Sequence, residues 1–156
     1  MCGMALAASL ALADLYGAGP AARPVQPVSA LSQEPLYAQI VSNAQRLEAD
    51  AKAMRALPGL KSAPSAVVLP GFAKLKTEAM KLSAMDMQGH LDLAARKGGD
   101  GDLKCILKGI SQDLPKKIAA VEDAKTGPEQ DLALDELAYV LDDNAGVILA
   151  PPKPPV

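Results

Sequence analysis

The sequence predicts an all-α protein, an up-down-up-down four-helix bundle with a proline-rich N-terminal extension. Its composition favours helices, because alanine and leucine dominate while aromatic residues make up only 3% of the chain. Four segments repeat apolar residues at the period of a helix, and no segment alternates apolar and polar residues as a half-buried strand does. Short turns separate the four segments, which favours antiparallel packing of successive helices.

The chain of 156 residues is long enough for one domain with a single core. We expect a signal or targeting segment at residues 1–22, a proline-rich linker at 23–33, the bundle at 34–149 and a proline-rich tail at 150–156. The tail reads PPKPPV, which is typical of polyproline conformations and cannot continue a helix.

The N-terminal segment has some features of an export signal. Residues 1–13 form an apolar run of small side chains, and Ala11-Leu12-Ala13 has the A-x-A form of a signal-peptidase site. No Lys or Arg precedes the run, which leaves three interpretations open: an atypical export signal, the end of a longer targeting sequence, or a packed N-terminal helix of a cytosolic protein. Of these, we expect export. The run is shorter than the span of about 20 residues that crosses a membrane.

Helix one is predicted from about Pro35 to Leu57, with Ser32 as its N-cap and Pro58-Gly59 at its end. Asn43 and Asp50 flank its apolar stripe, and we interpret them as the edge of that stripe. The stripe itself consists of Leu36, Ile40, Leu47, Ala51 and Met54.

Helix two is predicted from about Gly71 to the turn at Gly98-Gly99, and it is the longest helical pattern in the chain. Asp86 and His90 fall within its apolar face, whereas Met85 and Asp92 fall on its polar side. The predicted apolar face is broad and contains Phe72, Leu75, Ala79, Met80, Leu82, Ala84, Met87, Leu91, Leu93 and Ala94.

Helix three is predicted from about Leu103 to Ala124, with Asp102 as its N-cap. Pro115 lies inside it, where proline removes one backbone hydrogen bond and bends a helix. Cys105 projects away from the stripe, which consists of Leu103, Ile106, Leu107, Ile110, Leu114, Ile118 and Val121.

Helix four begins with the capping-box pattern Thr126-Gly127-Pro128-Glu129 and ends near Ile148. Its predicted inward residues are Leu134, Leu137, Leu141, Ala145 and Ile148.

Asp86 and His90 are the one local pair suited to chemistry. Four residues apart on one helix face, they have the spacing of two metal ligands, or of a base and its orienting carboxylate. The Glu-x-x-His pairs that facing helices contribute to di-iron bundles are absent. We therefore predict that each contacts the other or a facing polar group, and we assign no catalytic, cofactor-binding or metal-binding residue.

Methionine is a second possible metal or haem ligand in this sequence, because its thioether sulfur is a soft donor. Three methionines lie in helix two, and Met54 in helix one is the candidate to pair with His90 across the bundle around a haem. An apolar face with few aromatic residues is more typical of a core than of a porphyrin pocket. The alternative of an exported periplasmic bundle that binds haem or a metal through His90 stays open.

Several functional classes lack the residues that they need. A net charge of −2 without a basic stripe argues against nucleic acid as a partner. There is no phosphate-binding glycine loop and no Ser-His-Asp set, so we expect neither an enzyme nor a small-molecule substrate. Cys2 and Cys105 form no CxxC motif, and Cys105 has three open interpretations: a nucleophile, a crosslink between two molecules, or no role.

The layout resembles the extrinsic PsbQ-type subunit of photosystem II (oxygen-evolving enhancer protein 3), over about sixty residues from His90 onward. The matching landmarks are His90-Leu91-Asp92-Leu93 at the end of helix two, Leu114 and Ile118, Val121 with Asp123-Ala124, the helix start at Thr126–Glu129, and Val140–Asp143. The sequence departs from this family in having few aromatic residues and in the turn GGDGD, where the family has a basic turn.

The resemblance implies a non-catalytic subunit that docks on the lumenal side of a photosystem and supports its core or antenna. We expect no cofactor. From the resemblance we expect an accessory subunit of a larger, membrane-bound complex, with protein partners and a location in the thylakoid lumen. The bacterial periplasm is the alternative location.

Overall fold

The computed structural model describes residues 29–96 and 101–152. These residues contain four long helices, and no strand occurs among them. The helices are α1 (Pro35–Arg55), α2 (Phe72–Ala95), α3 (Gly101–Asp123) and α4 (Gly127–Leu149). Each packs against its chain neighbours, and α1 also packs closely against α4, so the helices close into the predicted all-α four-helix bundle. The whole predicted targeting segment (1–22), residues 23–28 of the predicted linker, residues 97–100 at the start of the GGDGD turn and residues 153–156 of the tail lie outside the described residues.

A short 3-10 helix, Ala30–Gln33, leads into α1 within the range predicted as linker. Ser29 caps it, since its hydroxyl accepts from the backbone N–H of Ser32, and the N-cap of α1 is Glu34. The prediction of Ser32 as the cap of helix one is therefore wrong, because the chain makes an extra tight turn first. Ser29 also donates through Oγ to the carbonyl of Ile148 over 2.6 Å, which satisfies an unpaired carbonyl at the end of α4.

The buried side of α2 is narrower than its sequence pattern predicts. Its buried residues recur at alternating steps of three and four, at Leu75, Ala79, Leu82, Asp86, Gly89 and Leu93. Met80 is 44% exposed and Leu91 is 61% exposed, while Ala84 and Ala94 are also exposed. Met85, predicted on the polar side, packs against the core instead. The neighbouring helices therefore cover a coiled-coil-like seam rather than a broad face.

The start of α4 supports the connection between α1 and α2. Thr126 and Glu129 form the predicted capping box, in which Glu129 Oε2 accepts from the Thr126 N–H at 3.1 Å. Gly127 donates through its backbone N–H to the carbonyl of Ala63 over 3.0 Å, and the N–H of Ala66 donates to the carbonyl of Lys125 over 2.7 Å. These bonds fix the connection across the turn between α3 and α4.

Helix α3 continues through Pro115, and its first turn differs from the sequence prediction. It begins at Gly101, so that Asp102 lies in the first turn instead of serving as the N-cap, where its charge still favours the helix dipole. None of the helices in the described part of the chain is long and apolar enough to cross a membrane.

Candidate functional site

A buried polar pair joins α2 and α4 at the centre of the bundle. Asp86 has no exposed surface (0%), and neither has Asn144. The side-chain amide of Asn144 donates through Nδ2 to Asp86 Oδ2 over 2.9 Å. Both residues occupy seam positions, which explains why a polar side chain of each helix points inward rather than to solvent.

Two oxygens of this pair are buried and have no hydrogen-bond partner in the described part of the chain: Asp86 Oδ1 and Asn144 Oδ1. Burial raises the pKa of the Asp86 carboxyl to about 8, against a smaller lowering by the Asn144 hydrogen bond. The carboxyl is therefore mostly protonated at pH 7. A protonated carboxyl gains an O–H donor, and the carboxamide offers its free oxygen as the matching acceptor. The site can hold a proton, and it holds it inside the core, shielded from solvent.

His90 lies one turn further along α2 and takes a different partner. Its Nδ1 is 2.7 Å from the carbonyl oxygen of Lys104 on α3. Because a carbonyl only accepts, Nδ1 carries the hydrogen of this bond, and in a neutral imidazole ring this places the lone pair on Nε2. Asp86 and His90 make no hydrogen bond with each other, and each instead contacts a facing helix. This is one of the two arrangements that the sequence predicts.

The proposed haem ligands do not come together. Met54 lies beside the start of α2, so that a Cβ atom added at Gly71 would be 3.7 Å from the Met54 Cε. His90 is near the other end of α2, about 28 Å away along a helix that rises 1.5 Å per residue. Met54 and His90 therefore lie too far apart to ligate one haem, so the candidate pair that the sequence offers does not form. Within the described residues, no group of three or more His, Cys, Asp or Glu side chains is placed to hold a metal ion.

Cys105 is exposed on α3, which agrees with its predicted outward direction, and it forms no disulfide within residues 29–96 and 101–152. Cys2 lies outside these residues.

A second polar cluster, missed by the sequence analysis, centres on Tyr37 of α1. Its ring is fully buried, and its hydroxyl donates to Asp92 Oδ2 over 2.7 Å, with the carbonyl of Gly89 at 3.2 Å. Arg96 lies 5.6 Å above the ring centroid and pairs with both Asp92 and Glu34. Burial, reinforced by the bond to Asp92, raises the pKa of the Tyr37 hydroxyl. The cluster joins the start of α1 to the end of α2.

The outer side of α4 carries the largest exposed apolar side chains of that helix. Leu132 is 60% exposed and Tyr139 is 73% exposed. Acidic residues alternate with these two side chains along the helix. An open groove between α3 and α4 lies beside each of the two. We call this exposed side of α4 the α4 stripe, which consists of Glu129, Leu132, Glu136, Tyr139, Asp143 and Gly146.

Comparison of the chain with protein-family models, curated proteins and solved structures finds no match in any of the three. A function for this protein is therefore inferred from its fold and its side chains.

Proposed function

We propose that this protein is a non-catalytic accessory subunit that docks on a larger protein complex. The observation that carries the proposal is the α4 stripe. Leu132 and Tyr139 lie seven residues apart, two turns along the same side of α4, and both are more than half exposed. Apolar side chains aligned in this way are more typical of an interaction surface than single exposed apolar residues are.

The chemistry of the remaining site supports docking more than catalysis. The buried proton site at Asp86 and Asn144 is closed to solvent, so a substrate has no access to it. The grooves along α4 are open and shallow, whereas small-molecule sites are concave and enclose most of their ligand. A surface of this kind suits a protein partner.

The apparent mass of the native particle that contains the chain, measured by size-exclusion chromatography, tests the proposal. In a gentle, low-salt extract of the source cells, we expect the chain to elute well above its own mass of 16.1 kDa. The double variant Leu132→Ser and Tyr139→Ser should elute near the monomer, while Leu91→Ser, an exposed leucine on α2, should leave the large species intact. A native chain that elutes as a monomer would contradict the proposal.

The narrower form of the proposal is an extrinsic PsbQ-type subunit, exported to the thylakoid lumen. It rests on the landmark residues from His90 to Asp143 and on the four-helix bundle. We expect the chain in photosynthetic membranes and its release by a high-salt wash. Recovery from the soluble fraction of a non-photosynthetic bacterium would rule out this form and leave the general docking proposal in place.

A second candidate function is an exported bundle that binds haem or a metal through His90. The observation in its favour is the Nδ1–H bond to the Lys104 carbonyl, because ligating histidines commonly fix one ring nitrogen in this way and coordinate with the other. An absorption spectrum and elemental analysis of the purified protein test it. A Soret band or a stoichiometric metal that is lost in His90→Ala would favour this candidate over docking.

A further inference from the structure

We propose that the α4 stripe binds a basic amphipathic helix of the partner protein. This inference rests on the docking function proposed above and specifies the chemistry of the partner. It follows from three properties of α4: the spacing of its exposed residues, the sign of its charge and the form of the grooves beside it.

The spacing of the α4 stripe matches a helix-packing seam. Its six positions recur at steps of three and four residues, the same spacing that buries the inner side of α2 against its neighbours. On α4 the seam faces solvent. It extends over the 18 residues 129–146, about 25 Å of helix, which is enough to pair with roughly five turns of a second helix.

The charge of α4 is entirely negative. The helix contains six acidic residues and no Lys or Arg: Glu129, Asp131, Asp135, Glu136, Asp142 and Asp143. Three of them point toward α1, where Arg55 pairs with Asp131 and Asp135, and Lys52 lies near Asp142. The other three, Glu129, Glu136 and Asp143, belong to the stripe and flank Leu132 and Tyr139.

The charge beside the stripe is only partly neutralised by α3. Lys117 pairs with Glu136 across the groove at 2.8 Å, and Lys116 pairs with Asp113 on its own helix. Asp143 has no ion pair within the described residues, and Asp123 adds a further carboxylate to the groove. A partner that places cations next to its apolar side chains, opposite the acidic positions of the stripe, satisfies these carboxylates.

The same charge disfavours other occupants. A second copy of this chain would bring one acidic α4 against another, since both would present the same carboxylates. Nucleic acid and anionic lipid are repelled for the same reason. A helix with leucine-like residues at steps of three and four, flanked by Lys or Arg, matches both the apolar and the charged parts of the stripe.

The experiment uses the full chain and synthetic peptides of 18 residues. The probe peptide contains Leu at steps of three and four, with Lys and Ala elsewhere. A second peptide replaces every Lys by Glu, and a third scrambles the probe so that charge is kept and the seam is lost. Dissociation constants come from fluorescence anisotropy at several salt concentrations, and NMR shifts of the labelled chain locate the contact. We expect the probe to bind at least tenfold more tightly than either control, with shifts centred on Leu132 and Tyr139.

Variants separate the two parts of the surface. Leu132→Ser with Tyr139→Ser should weaken the probe at least tenfold, and Glu136→Gln with Asp143→Asn should weaken it and reduce its salt dependence. Leu91→Ser and Asp50→Asn, at exposed and half-buried positions on α2 and α1, are the matched controls and should leave the affinity unchanged. Equal binding of the scrambled or the acidic peptide, or probe binding that is insensitive to the α4 variants, would overturn the inference.

The cell extract distinguishes this inference from the proposed function. If the native complex is lost in the Leu132 and Tyr139 double variant but survives Glu136→Gln with Asp143→Asn, the docking function stands and the basic partner is wrong. A homodimer that forms through the stripe, detected by sedimentation equilibrium, would likewise overturn the basic partner. A chain that is monomeric in the extract contradicts the docking function itself.

Discussion

The Asp86 carboxyl of α2 and the Asn144 carboxamide of α4 meet in the core, with 2.9 Å between Asp86 Oδ2 and Asn144 Nδ2. Within the described residues, burial raises the pKa of the Asp86 carboxyl and the hydrogen bond from Asn144 lowers it by less. Of the helices packed around the pair, only α4 presents a polar partner for it in the described structure. An acid buried in this way stays neutral, and its ionisation is coupled to unfolding.

Raising the pH from about 4 to about 8 should therefore destabilise the protein. The pKa of Asp86 is about 8 in the folded state, against an ordinary value of 3.8. Between these values the folded chain keeps a proton that the unfolded chain has released. The contribution of Asp86 to the free energy of unfolding is therefore largest below pH 4 and is lost as the pH rises toward 8. The slope approaches 1.4 kcal/mol per pH unit at most. Urea denaturation at intervals from pH 5 to 9 measures it.

The variant Asp86→Asn should remove this slope. An amide keeps the shape of the protonated carboxyl, cannot ionise, and supplies an N–H donor for Asn144 Oδ1. We expect the variant to be more stable than the natural chain at pH 8 and closer to it at pH 5. Parallel stability profiles for the two proteins would show that Asp86 is not the group responsible.

Ser83 of α2 compensates for the proline in α3. Pro115 has no N–H to donate to the carbonyl of Ser111, four residues earlier, and Ser83 Oγ donates to that carbonyl over 2.7 Å instead. Ser83→Ala should therefore lower the free energy of unfolding by about 1–2 kcal/mol, because it leaves a partly buried carbonyl without this donor.

A double-mutant cycle isolates this effect. In the background of Pro115→Ala, the backbone N–H at position 115 is restored and can donate to Ser111. The cost of Ser83→Ala should then fall below about 0.5 kcal/mol, measured by urea denaturation. An equal cost in both backgrounds would mean that the serine stabilises the bundle in some other way.

The helices could be predicted from the sequence because each depends on local patterns. Helical periodicity located all four, proline and glycine located most of their ends, and the pattern Thr126-x-x-Glu129 located a capping box that the structure contains. The period of the apolar residues does not by itself determine how each helix is rotated about its axis. That rotation depends on the neighbours, which is why α2 buries a narrow seam in place of the predicted broad face.

The site could be predicted only in part. Asp86 is predictable from its place on the apolar face, whereas Asn144 and Tyr37 are polar or amphipathic and do not belong to a stripe that is defined by apolar residues. The spacing of buried positions is a stricter signal. Asn144 continues the steps of three and four through Leu134, Leu137 and Leu141, and Tyr37 begins those through Ile40, Ala44 and Leu47. The bond between Ser83 and Ser111 had no local signal, since 28 residues separate its partners.

Removal of the Tyr37 hydroxyl should loosen the junction of α1 and α2. Tyr37→Phe keeps the buried ring but removes the hydrogen bond that α1 donates to Asp92, and we expect the free energy of unfolding to fall by about 1–2 kcal/mol. Tyr139→Phe is the matched control, because that hydroxyl is exposed and makes no hydrogen bond in the described residues; its effect should stay within about 0.5 kcal/mol. Thermal denaturation of the two variants tests the difference, and equal effects would contradict it.

Two glycines should respond in opposite ways to the same substitution. A Cβ at Gly127 would lie 1.9 Å from the carbonyl oxygen of Leu60 and 2.8 Å from the Cβ of Ala63, so the connection after α1 would have to move off the start of α4. We expect Gly127→Ala to lower the free energy of unfolding by about 3 kcal/mol. A Cβ at Gly109, in the middle of α3, would have no neighbouring atom within 4 Å. Gly109→Ala should therefore raise the free energy of unfolding by about 0.5–1 kcal/mol, because alanine favours a helix more than glycine does. Urea denaturation of both variants decides the matter, because a neutral Gly127→Ala would mean that the connection does not lie against α4.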